Sequence, residues 1–133
     1  MSPATAMRTV ALGLGWGGVA LLLGRRAVGS DIWGGVVASP LIGVLVGWAS
    51  LDRFAAGSGR RRAAISFGGL VLGAILFGLA LGATDLIRHP GQRVVESLGA
   101  GIVGVLWGVF VAGLFLVLWP LAYATYWLLA RFD

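Results

Sequence analysis

GGVVASPLIGVLVG, residues 34–47, places four glycines and a proline in fourteen residues and carries no charge. In water, a glycine inside a helix costs about 1 kcal/mol against alanine, and a proline about 3 kcal/mol. In lipid, no water competes for the backbone hydrogen bonds, so the helix persists through such residues. Helices there associate by close packing, and small residues let two backbones approach. The stretch therefore reads as a membrane span built to be packed against.

The rest of the chain agrees. Of 133 residues, 59% are hydrophobic and only 11% are charged. The mean hydropathy is +0.96. A soluble domain carries about 25% charged residues, so this chain cannot cover its own surface with polar groups. The length allows one transmembrane domain, 1–133, with no room for a separate catalytic unit. Cysteine is absent, which excludes disulfides, thiolate nucleophiles and cysteine metal sites. All ten basic residues are arginine. The Arg, Ala, Gly and Val bias is that of a GC-rich bacterial genome, which points to a bacterial cytoplasmic (inner) membrane.

Apolar runs predict helices over about 8–24, 32–52, 63–84 and 97–129. A span needs about 20 residues at 1.5 Å each. The first run has a second reading as a signal peptide cleaved near Ala27-Val28-Gly29. Arg25 and Arg26, between the run and that site, oppose it. The fourth run would reach roughly 50 Å, against a hydrocarbon core of about 30 Å. Either it projects at its Ser97 end or it bends at Pro120, with Tyr123, Tyr126 and Trp127 as an interfacial aromatic belt. Short connections make neighbouring spans antiparallel. The expected fold is all-α: a four-transmembrane-helix antiparallel bundle with a long fourth helix. Arg8, Arg53, Arg60, Arg61, Arg62 and Arg131 then share one side, against Arg25, Arg26, Arg88 and Arg93 on the other. That excess puts both termini in the cytoplasm, and its smallness leaves dual topology open.

Small residues recur at every fourth position. The ridges are Gly35, Ser39, Gly43 and Gly47 in the second run, and Ala100, Gly104, Gly108 and Ala112 in the fourth. The third run offers Ala74, Gly78 and Gly82, and the first offers Gly13 with Gly17. Pro40 is expected to kink its helix and free the Val36 carbonyl, within reach of Ser39. IWGGVVAS (32–39) resembles LWGVFVAG (106–113), so a duplicated helical hairpin is a further reading.

Chemistry is sparse. Asp31, Asp52, Asp85, Glu96 and Asp133 all fall at predicted segment ends or in connections. Ion and proton pumps place a charge within a span, so this pattern argues against proton-coupled transport. His89 is the only histidine. Asp85, Arg88 and His89 form a candidate polar interface site, against the plainer reading of a solvated connection with local ion pairs. The sequence points to no metal and no cofactor. Arg60, Arg61 and Arg62 suit anionic lipid headgroups rather than nucleic acid. Ser39, Ser50, Ser66 and Ser97 have no plausible general base nearby. The expected function is non-enzymatic: an accessory or scaffold subunit that packs with other membrane subunits or with itself. The alternative is a small homo-oligomeric channel or transporter. Contact of Asp85, His89 and Arg93 with lipid at one interface keeps an intramembrane enzyme as a third, weaker reading.

Overall fold

The computed structural model describes residues 3–28, 32–91 and 93–131, with side chains of residues 23–28 left aside. Asp31, Asp133 and Gly29 lie outside the described residues. The described chain is helical, with no strand: α1 Pro3–Val28, α2 Ile32–Ala55, α3 Gly59–Arg88, α4 Val94–Leu106 and α5 Phe115–Arg131. A π-helical turn, Trp107–Val111, follows α4. Four helical stretches are long and apolar enough to cross a membrane: 3–22, 32–55, 59–88 and 94–111.

The expected single fourth helix is therefore corrected to two. The Ala112 N–H reaches back to the Trp107 carbonyl at 3.2 Å, one residue beyond the α-helical spacing. Gly113 then adopts φ +87°, a left-handed conformation that favours glycine and commonly ends helices. The break lies at 107–114, and α5 continues through Pro120. The resemblance between 32–39 and 106–113 has no structural counterpart: the first opens α2, while the second is the turn that closes α4.

Helices α1, α2, α3 and α4 pack in sequence order, each along the next. Their register is read from glycines with no room for a side chain. A Cβ on Gly43 would lie 2.7 Å from the Thr9 carbonyl oxygen, and one on Gly13 would lie 2.9 Å from Pro40 Cα. On α3, Gly78 faces Ile102 and Gly82 faces Leu98, so contact positions rise on one helix as they fall on the other. Pro40 lies inside α2, and the Ser39 hydroxyl donates to the Val36 carbonyl at 2.6 Å. That carbonyl is the one a proline at position 40 leaves without its usual donor.

Helix α5 departs from this row. Trp119 donates through Nε1 to the Ala63 carbonyl and the Ser66 hydroxyl, both at 3.1 Å. Tyr126 stacks on Phe54 with centroids 5.2 Å apart and shares a short hydrogen bond with Ser50. Leu129 joins Leu51, Phe54 and Tyr126 in a buried cluster. Trp119, Tyr126 and Leu129 thus hold α5 against the residues that flank the α2–α3 connection. That cluster is small, and large apolar side chains cover the outside instead: on α2 the stripe Trp33, Val37, Leu41, Leu45 and Trp48 is exposed. A surface of this kind needs lipid or protein against it.

Candidate functional site

Helices α1 and α4 flank the row without extended contact between them. The space they leave is a chamber of about 670 Å³, within the range of small-molecule sites. Its back wall is α3, from Gly69 to Asp85. Leu118, Ala122 and Tyr126 of α5 close in on it at the α2–α3 end. Most of the lining is apolar and much of it is glycine or alanine, so the space exists because side chains there are short.

Polar groups sit at its two ends. At the α5 end, Trp16 Nε1 donates to the Thr125 hydroxyl at 3.2 Å, and that hydroxyl donates to the Leu121 carbonyl at 2.8 Å. At the other end, Asp85 and Ser97 line the chamber, with the Ser97 hydroxyl 3.4 Å from Asp85 Oδ2. His89 Nδ1 lies 3.3 Å from Asp85 Oδ1. Sequence reading ended the third helix at residue 84. The structure corrects this: α3 runs to Arg88, so Asp85 is a half-buried helical residue one turn before His89. Pro90 is what stops the helix, through its clash with the preceding residue.

The structure brings Asp85, His89 and Ser97 together, yet the arrangement does not make Ser97 a nucleophile. A triad needs the histidine between the serine and the carboxylate. Here the carboxylate is central and His89 faces outward, exposed. The other hydroxyls are tied to their own helices: Thr9 to the Ala6 carbonyl, Ser66 to Ala63, Thr84 to Ala80 and Ser50 to Val46. No cluster of three metal-ligating side chains occurs among the described residues.

The small-residue ridges divide. Gly35 is buried beneath the Phe77 ring, Ser39 fits against Gly13 and Gly17, Gly43 meets Thr9, and Gly47 is buried. Gly78 and Gly82 receive α4, with the Gly82 Cβ position 2.6 Å from the Ser97 carbonyl oxygen. The α4 surface in that seam is Ser97, Leu98, Gly101 and Ile102, however. Ala100, Gly104 and Ala112 are exposed, and nothing lies within 4 Å of a Cβ built on Gly104 or Gly108. Ala100, Gly104 and Gly108 form the lip of the chamber, and Ala112 lies beyond it.

Among the arginines, Arg60 and Arg61 are exposed. Arg62 is turned inward instead: Nε donates to the Phe54 carbonyl at 3.1 Å, Nη2 to the Ala55 carbonyl at 3.2 Å, and the guanidinium covers the Phe54 ring at 5.3 Å. It closes the C-terminus of α2, where orphan carbonyls favour a cation. Tyr126 likewise leaves the expected aromatic belt for the core, while Trp127 stays exposed beneath Arg131. Arg93 pairs with Glu96 at 3.5 Å rather than with the Asp85 group.

Comparison with known proteins finds no matching family model, no matching curated protein and no matching solved structure.

Proposed function

We propose that this chain is a small non-enzymatic integral membrane protein that serves as an accessory or scaffold subunit of a larger membrane complex. In this reading α1 to α4 span a bacterial inner membrane as an antiparallel bundle, and α5 lies across their arginine-rich, cytoplasmic end. Arg60 and Arg61 meet anionic headgroups there, each worth near 1 kcal/mol. The observation that carries the reading is the α4 lip. Ala100, Gly104, Gly108 and Ala112 form a small-residue ridge that the chain itself leaves uncovered. The same pattern elsewhere in the molecule is filled by a neighbouring helix. A transmembrane helix of another subunit is the occupant of matching chemistry, because small ridges are how helices approach in lipid.

Purification from the native host in mild detergent tests this. A membrane protein is expected to copurify and to be lost with Gly104→Leu and Gly108→Leu. A stable lone monomer, with no partner captured by cross-linking in intact membranes, contradicts it. The chamber gives the alternative, a homo-oligomeric channel or transporter, its one specific support. Its apolar walls and the α5 side chains across one end oppose a hydrated path. Proteoliposomes are expected to show no ion or solute flux, and flux would favour the alternative.

A further inference from the structure

The chamber extends from the α4 lip across to its back wall on α3. From Gly69 to Asp85 its back wall runs about 24 Å at 1.5 Å per residue. The chamber, about 670 Å³ with a mostly apolar lining, has room for a single hydrocarbon chain, and about 24 Å exceeds the ~15 Å that one leaflet of a typical core provides. Helices α1 and α4 make no extended contact, so the chamber is open between them, and in the membrane reading proposed above the bilayer supplies such chains directly. An empty apolar space of this size forfeits dispersion contacts along its whole lining.

The two ends are not equivalent. The α5 end presents a Trp16–Thr125 pair already satisfied within the protein. The other end presents a carboxylate whose contacts are long, 3.3 Å to His89 and 3.4 Å to Ser97, against about 2.7–2.9 Å for a well-made ionic hydrogen bond. An ionised carboxylate has about four acceptor sites, so Asp85 retains capacity for a donor from outside the protein. From these observations we infer that the chamber binds one aminophospholipid, with an acyl chain along α3 between α1 and α4 and its ammonium head on Asp85. The second acyl chain remains in the bilayer beyond the α4 lip. The chamber shares Ala100, Gly104 and Gly108 with the proposed docking ridge, so its test uses substitutions on α3 rather than on that ridge.

The test loads the full-length protein from vesicles of equimolar phosphatidylethanolamine and phosphatidylglycerol and reads bound lipid by native mass spectrometry. The wild type is expected to carry one phospholipid, predominantly phosphatidylethanolamine. Gly73→Phe fills the chamber from its back wall, where a Cβ meets only Val46 at 4.0 Å, and is expected to lose the lipid. Gly68→Phe, in open space outside the chamber, is expected to keep it. Asp85→Asn is expected to keep a lipid but lose the headgroup preference, and Asp85→Glu to restore it. Absence of bound lipid from the wild type, or retention in a folded Gly73→Phe, overturns the site. Equal uptake of the two lipids by the wild type overturns the assignment of Asp85. Phosphatidylethanolamine with a photoreactive acyl chain removes dependence on the variants: labelling along Gly69–Leu81 is expected, and labelling confined to the Trp33–Trp48 face overturns the proposal.

Discussion

Along the α3–α4 seam, Gly78 and Gly82 lie against the backbone of Ser97–Ile102 so closely that no side chain fits. Off that seam, Gly104 of α4 and Gly108 of the π-helical turn look into open space. The residue type and the four-residue spacing are the same in both places. Spacing of small residues therefore identifies faces on which a helix can approach; it does not identify the faces on which one does. What decides is the neighbouring large side chains. Phe77 and Tyr126 press onto Gly35 and Gly69 and fix how α2 and α5 sit on α3, which leaves the α4 ridge beside a gap. The two regions have different uses: one holds the row of helices together, and the other leaves space for something from outside the chain.

Substitutions break or sharpen this contrast, and the largest effect belongs to the seam. Gly78→Leu drives a branched side chain into a position whose Cβ alone would lie 2.6 Å from Ile102 Cα. It is expected to cost about 3 kcal/mol or more, since backbone rather than a flexible side chain must yield. Equilibrium unfolding in mixed micelles, or steric trapping in bicelles, measures it; a loss under 1 kcal/mol would mean that α3 and α4 are not in this contact. Ser39→Ala comes next. It removes the hydroxyl that donates to the Val36 carbonyl beneath Pro40, and is expected to cost about 1–3 kcal/mol by leaving a buried acceptor unpaired. The same unfolding assay applies, with Ser39→Thr as the variant that keeps the donor. The smallest effect belongs to the lip. Gly104→Ala and Gly108→Ala meet nothing in the lone chain and are expected to change its stability by no more than about 1 kcal/mol, in the stabilising direction that helix propensity favours. Marked destabilisation of the isolated monomer by either would place α4 in a different orientation.

Much of the helical plan was legible because burial in lipid demands long uninterrupted apolar runs, and 32–55 stands out for that reason. Three features were not. Asp85 ends the apolar run, so hydropathy stopped the third helix at residue 84; backbone geometry carries α3 a further turn, to the restriction imposed by Pro90. The break after α4 falls in WGVFVAGLF, apolar on both sides, where only Gly113 as a helix-ending glycine signals a stop. The inward turn of Arg62 depends on the α2–α3 connection bringing it beside the Phe54 and Ala55 carbonyls, a proximity that no local pattern encodes. The site suffered most. Asp85 and Ser97 are twelve residues apart and meet only because the α3–α4 turn folds one helix onto the other.

The central claim is that the Gly104 face of α4 is uncovered by its own chain while the α3 face beneath α5 is enclosed. The absence of cysteine makes single spin labels straightforward to place. Oxygen accessibility by power-saturation electron paramagnetic resonance, in dilute liposomes of the lone protein, compares labels at position 104 and at position 66, where Ser66 is fully buried outside the chamber. The account predicts high accessibility at 104 and low accessibility at 66. Equal protection at both positions, in a protein shown to be monomeric, would contradict it.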